Sequence, residues 1–280
     1  MPGWGTRRLR TALRLLRAFA VDPRGVSRAL PGHLGMQLTV KLQQRKLKRL
    51  PQYHVDDDWD ERLHGLLGAA WPCPERRRFE DLMADVRALL AAQGLGYGRA
   101  TYGCYSDSDP SLGGAIWCAV SHLRPEVVIE TGVGHGVSSR IILEALQHNE
   151  RGHLWSIDLP HFFERQLHTQ TGAAVTAANR IRWSYLEGSS QQRLPSLIAE
   201  VGHVEVFVHD SLHTAKNTMF EMDQAASVLS PGGVMLVDDI ATHEGFAKFA
   251  VRHPGYRTIV CPSADGIGLF GIAVNTAEAD

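Results

Sequence analysis

The stretch that decides the fold is residues 127–139, which read Val127-Val-Ile-Glu-Thr-Gly-Val-Gly-His-Gly-Val-Ser-Ser139. Three β-branched residues open it, as expected for a parallel strand that is buried on both faces. Gly132, Gly134 and Gly136 follow, and glycine permits positive φ and a close approach of the backbone to a ligand. The pattern predicts a buried strand, a glycine-rich turn and a helix, which is where a nucleotide-like cofactor usually sits.

The spacing of the glycines separates two classes of cofactor. A dinucleotide fingerprint of the form G-x-G-x-x-G would need a glycine at position 137, which is Val137. The chain instead has the form acid-x-Gly-x-Gly-x-Gly, with Glu130 at the strand end. This form resembles the S-adenosylmethionine loop of class I methyltransferases. The resemblance implies that Glu130 acts near the amino group of the methionine moiety and that the glycines hold that moiety.

A second predicted strand, 154–158, ends in a carboxylate that suits a ribose. Asp158 lies 22 residues after Gly136, near the offset of about 20 at which an acid reaches a ribose hydroxyl. NAD-binding folds share this offset, so it supports an adenosine-containing cofactor without naming one. The resemblance implies that Asp158 holds the ribose and that Ser189 approaches the adenine. Residues 105–108 are a candidate cover for the methionine carboxylate, or a plain turn and helix cap.

From residue 125 onward, predicted strands and helices alternate with short connections, as in a doubly wound sheet. The predicted strands lie near 126–131, 153–158, 180–185, 204–210, 232–238, 256–261 and 267–274. The predicted helices lie near 111–123, 137–148, 161–177, 190–200, 214–229 and 243–252. The last two strands leave no room for a helix between them and should pair antiparallel. We expect an α/β fold with a doubly wound, mostly parallel, seven-stranded sheet of the Rossmann-like methyltransferase type and a helical N-terminal extension.

The predicted domain organisation has two parts. Residues 1–100 form a basic helical extension and cap, and residues 101–280 form the S-adenosylmethionine-binding methyltransferase domain. Within the first part, the acidic run 56–61 suits a helix start, because acids stabilise a helix N-terminus. Apolar residues at helical spacing predict a further helix over 76–92.

A second chemical constellation follows the fourth and fifth predicted strands. Asp210 ends the fourth strand, with His213 three residues on, and Asp238 and Asp239 end the fifth. The carboxyl ends of strands in an open α/β sheet line the ligand crevice, so these side chains should converge beside the cofactor. Three carboxylates suit Mg²⁺. The set is similar to that of metal-dependent O-methyltransferases of the macrocin type, although Leu212 stands where that group often has a second acid.

The resemblance implies a mechanism. Mg²⁺ held by Asp210, Asp238 and Asp239 would lower the pKa of a substrate hydroxyl, and His213 would take its proton. Asp210 competes with His213 for the role of base. The alternative is a site without metal, in which Asp210 is the base and the aspartate pair caps the next helix.

Three function classes stay open at this stage. The leading one is an S-adenosylmethionine-dependent O-methyltransferase, Mg-assisted, that acts on a hydroxyl of a small molecule such as a glycoside or natural product. An NAD(P)-dependent oxidoreductase is disfavoured by Val137 and by the C-terminal strand pair. The third class is a non-catalytic, membrane-associated protein on a methyltransferase scaffold, because a fold does not fix a function.

The net charge of −1 hides an asymmetry between the ends of the chain. Residues 1–50 hold 12 Lys and Arg against the single acid Asp22, and the remainder carries a net −12. Arginines at helical spacing predict a basic amphipathic helix near 7–20. Such a helix suits peripheral contact with an anionic membrane, an acidic partner, a transit peptide or packing on the chain's own acidic domain. No nucleic acid is expected as a partner, and a homo-oligomer stays open.

The remaining composition indicates an ordinary cytoplasmic enzyme. With 44% hydrophobic residues, 280 residues suffice for one catalytic domain and an extension. There is no apolar run of 18 residues and no apolar core of a secretory signal. The four cysteines form no C-x-x-C pair or metal-like cluster in the sequence, so we expect them to be reduced cytosolic thiols.

Overall fold

The computed structural model describes residues 51–102, 105–159 and 165–277. The predicted basic helix near 7–20 lies outside these residues. Within the described part, no helix is both long and apolar enough to cross a bilayer.

A single seven-stranded sheet forms the centre of the molecule, in the order β3-β2-β1-β4-β5-β7-β6. The strands are β1 Val127–Thr131, β2 His153–Asp158, β3 Trp183–Glu187, β4 Val204–His209, β5 Leu229–Val237, β6 Tyr256–Pro262 and β7 Leu269–Asn275. The first five pair in parallel, whereas β7 is antiparallel to both β5 and β6. The predicted class, strand number and antiparallel final pair are therefore confirmed.

Helices cover both faces of this sheet. They are α1 Trp59–Leu66, α2 Arg76–Ala92, α3 Pro110–Leu123, α4 Val137–His148, α5 Arg165–His168, α6 Ser190–Val201, α7 Ala215–Ala226 and α8 Gly245–Arg252. Alternate residues of β1 face opposite layers: Val128 packs in the core with α2, α3 and α4, whereas Ile129 packs in the core with α6, α7 and α8. This two-sided burial explains why β1 is apolar throughout its first half.

The helices before the sheet share its core. Leu63 of α1 and Val86 and Leu90 of α2 are fully buried in the cluster that contains Val128 of β1. The described part of the N-terminal extension is thus packed on the domain. The boundary drawn at residue 100 stays a prediction.

The predicted helix over 161–177 is wrong in length. Only α5, four residues long, is helical in the described part of this span. The backbone N–H of Gly172 donates instead to the carbonyl of Gly134, and that of Ala174 donates to the carbonyl of His135. These bonds hold the segment against the glycine-rich turn, and apolar periodicity does not reveal them. The third strand also begins at Trp183 rather than at 180, because a 3₁₀ turn occupies Asn179–Arg182.

Candidate functional site

The glycine-rich turn, residues 132–136, joins β1 to α4, and two of its glycines are required by the protein's own packing. A Cβ on Gly132 would lie 1.9 Å from the carbonyl oxygen of Asp210, and one on Gly136 would lie 2.8 Å from Cα of Gly172. Gly134, with φ of +52°, differs: a Cβ there would meet only the ring of Tyr102, at 3.9 Å. Gly134 therefore faces space that the protein itself does not fill.

The segment that precedes α3 packs over this turn. The ring of Tyr102 contacts that of His135 edge to face, with centroids 5.1 Å apart. Nδ1 of His135 donates to Oδ1 of Asp107 at 2.9 Å, and both side chains are buried. Nε2 of His135 is buried without a hydrogen-bond partner among the described residues. In the neutral ring, this nitrogen is an acceptor.

Glu130 is fully buried beneath the turn. Its Oε2 accepts hydrogen bonds from Ser139 at 2.6 Å and from Ser156 at 2.7 Å, whereas Oε1 has no partner in the described part of the chain. Burial raises the pKa of Glu130 to about 7, against the lowering effect of the serine hydroxyls. A buried carboxylate with one unpaired oxygen is unusual and suits the approach of a cationic group.

Asp158 and Ser189 stand at the ends of β2 and β3, as predicted. Burial raises the pKa of Asp158 to about 6, although the backbone N–H of Gly134 and that of Leu159 hydrogen-bond to it. The carboxylate therefore lies directly against the glycine-rich turn. Ser189 is the N-cap of α6, and its backbone N–H donates to Oε1 of Gln192 at 3.4 Å. The cofactor roles of these residues stay predictions.

A cavity of about 250 Å³ lies at the edge of the sheet. It is lined by His168, Thr171, Arg180, Trp183, Tyr185 and Glu187. Glu187 pairs in register with Asp158 on the neighbouring strand, so the cavity begins next to that carboxylate. None of its lining residues belongs to the glycine-rich turn.

At the carboxyl ends of β4 and β5, ligand atoms of Asp210, His213 and Asp238 lie within 4.8 Å of one another. We call these three residues the strand-end cluster. Oδ2 of Asp210 also accepts a hydrogen bond from Ser108 at 3.1 Å, so the segment before α3 reaches this cluster too. The convergence expected for Asp210 and Asp238 is present. Asp239 is not part of this group, and its predicted role as a metal ligand stays untested.

Asp239 instead orients the imidazole of His213. Nδ1 of His213 donates to Oδ2 of Asp239 at 2.9 Å. Nε2 lies 3.5 Å from Oδ1 of Asp210, too far for a good hydrogen bond, and is buried without a partner among the described residues. The atom that faces the cluster is thus free to contact a ligand, and in the neutral ring it is an acceptor.

The strand-end cluster has the electrostatics of a cation site. Burial and the neighbouring charge of Asp210 raise the pKa of Asp238 well above its usual value. Burial alone would lower the pKa of His213, but the Asp210 and Asp239 carboxylates and the charge of Asp238 raise it well above its usual value. Carboxylates that crowd together in this way are stabilised by a bound cation.

A buried network under the cluster was missed by sequence reasoning. The fully buried carboxylate of Glu221, on α7, accepts hydrogen bonds from Thr131, Ser211 and Asn217 and contacts Nδ1 of His209 at 2.6 Å. Burial would raise the pKa of Glu221, but His209 lowers it to about 2. The network ties the ends of β1 and β4 to the loop that carries His213. A glutamate in a helix gives no sequence signal for such a role.

A second group of ligand atoms contradicts the interpretation that the cysteines form no metal-like cluster. Ligand atoms of His64, Cys73, Cys118 and His122 lie within 4.8 Å of one another, and we call these four residues the cysteine–histidine cluster. A hydrogen bond with Cys118 lowers the pKa of Cys73. The expectation failed because the residues come from α1, from the loop after it and from α3, so no short motif joins them.

Comparison with known proteins agrees with the architecture. A family model described as a methyltransferase domain matches residues 129–240, which include the glycine-rich turn and the strand-end cluster. No curated protein matches the chain in sequence.

Two solved structures share the fold at low sequence identity. One is the O-methyltransferase TomG from Streptomyces achromogenes, involved in tomaymycin synthesis and solved in complex with S-adenosylmethionine. It is 16% identical to this chain, the alignment covers 70% of this chain and 90% of that chain, and the TM-score is 0.53. The other is an O-methyltransferase from Bacillus cereus, solved in complex with S-adenosylhomocysteine. It is 15% identical to this chain, the alignment covers 78% of this chain and 96% of that chain, and the TM-score is 0.51. The predicted methyltransferase fold is confirmed by these likenesses, and residues 129–240 match a methyltransferase domain.

Proposed function

We propose that the protein transfers a methyl group from S-adenosylmethionine to a hydroxyl of a small molecule. The observation that carries the proposal is the contact between Gly132 and Asp210, where a single Cβ would collide with the opposing carbonyl. This contact places the glycine-rich turn, the expected site of the methyl donor, directly beside the strand-end cluster. Methyl transfer needs little beyond an activated donor and a nucleophile held in line, so this proximity is the main requirement.

The residues around the turn fit the cofactor. Oε1 of Glu130 and Nε2 of His135 are buried acceptors without partners in the described residues, and an ammonium group supplies donors. The open side of Gly134 leaves room for the methionine chain. Asp158 would then accept hydrogen bonds from the ribose hydroxyls, which would replace the hydrogen bond that it accepts from the backbone N–H of Gly134.

The acceptor hydroxyl would lie at the strand-end cluster. Nε2 of His213 is positioned to take its proton, because Nδ1 is committed to Asp239. Asp239 keeps the ring oriented and stabilises its protonated form. Asp210 is the second candidate for the base, since its carboxylate borders the same space.

The carboxylates of the cluster fit a divalent cation. Asp210 and Asp238 would hold Mg²⁺, because two crowded carboxylates are hard oxygen ligands with a need for positive charge. When bound, Mg²⁺ supplies positive charge that lowers the pKa of a nearby hydroxyl and of His213. This would give His213 the neutral ring that a base requires at neutral pH.

We propose a small hydroxylated acceptor, a glycoside or another natural product. TomG, which shares the fold, is involved in the synthesis of a named natural product. We also propose peripheral membrane contact of the basic arm, self-association and a cytoplasmic location. The segment that would carry the membrane contact lies outside the described residues.

Binding and turnover measurements test the function in two steps. Calorimetric titration should show binding of S-adenosylmethionine and S-adenosylhomocysteine and no binding of NAD. Turnover on a library of hydroxylated acceptors should then produce S-adenosylhomocysteine, with a rate that falls in EDTA and returns with Mg²⁺. Binding of NAD without binding of S-adenosylmethionine would favour the oxidoreductase, whereas cofactor binding without turnover on any acceptor would favour a non-catalytic role.

A further inference from the structure

The cysteine–histidine cluster lies apart from the methyltransferase site. His64 lies on α1, Cys73 in the loop that follows, and Cys118 and His122 one turn apart on α3. Its members come from the face of the sheet covered by α2, α3 and α4, whereas the strand-end cluster follows β4 and β5. The proposed methyl transfer therefore does not account for this cluster.

Three distances within the cluster match those of a tetrahedral metal site. Sγ of Cys73 and Sγ of Cys118 are 3.9 Å apart, Sγ of Cys73 is 3.5 Å from Nε2 of His122, and Sγ of Cys118 is 3.6 Å from Nε2 of His64. Metal–ligand lengths of about 2.3 Å to sulfur and about 2.0–2.1 Å to nitrogen require sulfur atoms about 3.8 Å apart and sulfur–nitrogen pairs about 3.6 Å apart. The two sulfur atoms are much farther apart than the roughly 2.05 Å of a disulfide.

The hydrogen bonds of His64 suit metal binding as well. Nδ1 of His64 lies 2.7 Å from the carbonyl oxygen of Asp60 and 3.2 Å from Oδ1 of the same residue. A carbonyl oxygen can only accept, so Nδ1 carries the hydrogen and Nε2 keeps its lone pair toward the sulfur atoms. Hydrogen bonds of this kind fix the tautomer and the ring orientation of histidines that bind metals.

We infer that these four side chains bind one zinc ion in a structural site. Two thiolates and two imidazoles in a tetrahedron are a ligand set that zinc favours. With two thiolate charges, the bound ion would be neutral overall, which reduces the cost of burying it. All four positions are filled by protein atoms, so no position is left open for catalysis.

The zinc would fasten the N-terminal helices to the methyltransferase domain. Cys118 and His122 lie on α3, which ends at Leu123, just before β1 begins at Val127. His64 and Cys73 belong to the segment ahead of the domain. Cys73 and His122 are half-buried, so the ion can enter from the surface after the core has formed.

Metal analysis of the full chain tests the inference. Protein purified without a metal-binding tag should contain one zinc per chain by mass spectrometry. Co²⁺ exchanged into the unmutated protein should give thiolate charge-transfer bands and the ligand-field bands of a tetrahedral ion. Removal of the zinc by a soft-metal chelator should lower the midpoint of thermal unfolding by roughly 5–10 °C.

Matched variants separate this site from other thiols and from the strand-end cluster. Cys73→Ser should lose the zinc and the cobalt bands, because its sulfur is half-buried and its loss removes a ligand with little effect on the core. Cys261→Ser, at the buried free thiol of β6, should retain both. Asp238→Asn should also retain the zinc.

Three results would overturn the inference. They are protein that holds no zinc and shows no thiolate bands with Co²⁺, protein that holds iron in place of zinc, and zinc that survives Cys73→Ser undiminished. Because none of these measurements depends on methyl transfer, failure of the proposed activity leaves the test intact.

Discussion

The strand-end cluster and the cysteine–histidine cluster are two groups of metal-ligand side chains that the fold assembles in different ways. Asp210 and Asp238 each follow a parallel strand, and the sheet brings them to one rim whatever lies between them. Cys73 and Cys118 meet only because α1, its following loop and α3 pack together. The first arrangement follows from topology, whereas the second follows from helix packing.

The chemistry of the two clusters differs as well. The strand-end cluster offers hard carboxylate oxygens and a buried nitrogen that has no partner in the described part of the chain, so it suits an exchangeable cation and a substrate oxygen. The cysteine–histidine cluster offers four ligand side chains whose ligand atoms lie within 4.8 Å of one another, which suits a permanent ion. We therefore expect damage to the first to affect turnover and damage to the second to affect stability.

The largest expected effect is on turnover when Asp238 is changed. Asp238→Asn keeps the shape of the side chain but removes a charge that Mg²⁺ needs, so kcat should fall about a thousandfold. The affinity for S-adenosylmethionine and the midpoint of thermal unfolding should stay near those of the unmutated protein, as steady-state kinetics, calorimetry and melting curves would show.

Asp85→Asn, on the exposed face of α2, is the control for that variant. Full turnover of Asp238→Asn in excess EDTA would mean that Asp238 holds no catalytic cation. The strand-end cluster would then be an acid–base site alone.

The second prediction separates the base from the residue that orients it. His213→Gln should lower kcat about a hundredfold, the scale of general base catalysis, while Asp239→Asn should lower it less because the imidazole remains. His203→Gln, at an exposed position, should have no effect. Equal losses of kcat in His213→Gln and Asp239→Asn would show that the two residues act as one unit. An unchanged kcat in His213→Gln would indicate that Asp210 is the base.

How far the sequence predicts these two regions depends on which physical rule places each residue. The glycine spacing and the strand ends predicted the sheet, the turn and the meeting of Asp210 with Asp238. Where a helix was predicted over 161–177, the backbone N–H groups of Gly172 and Ala174 donate hydrogen bonds to the glycine-rich turn. The prediction failed because hydrogen bonds between distant segments leave no periodic pattern in the sequence. The cysteine–histidine cluster was missed for the same reason: its ligands are distant in sequence and the spacing of each pair is uninformative alone.

The third prediction tests the glycine-rich turn, which neither cluster includes. Gly134→Val should weaken binding of S-adenosylmethionine about tenfold or more, because a side chain there occupies space that the protein leaves open. A branched residue at φ of +52° also costs backbone strain. Gly94→Val is a matched control, with φ of +71° and nothing within 4 Å of the added Cβ.

Calorimetric titration of both glycine variants separates strain from occlusion. We expect the two variants to lose a similar amount of stability, and only Gly134→Val to lose affinity for S-adenosylmethionine. Unchanged affinity in Gly134→Val would remove the open side of the turn from the cofactor site.

The last prediction concerns the pH dependence of stability, through Glu130. This carboxyl, on β1, is fully buried, whereas Cys73 and His122 of the cysteine–histidine cluster are half-buried. Burial raises its pKa from the ordinary value of 4.5 to about 7 in the folded protein. Its contribution to stability is therefore complete below pH 4.5 and is lost as the pH rises toward about 7.

The free energy of unfolding of the unmutated protein should thus lose up to about 3 kcal/mol from this one group between those limits. Glu130→Gln keeps an acceptor for Ser139 and Ser156 but cannot ionise, so the variant should lack this loss. Glu200→Gln, at an exposed position on α6, should behave as the unmutated chain. Denaturant unfolding at pH 5 and pH 8 makes the comparison, and an identical pH dependence in Glu130→Gln and the unmutated protein would mean that Glu130 is already ionised in the folded state. Saturating S-adenosylmethionine should also reduce the loss in the unmutated protein, because an ammonium group beside Glu130 would stabilise its charged form.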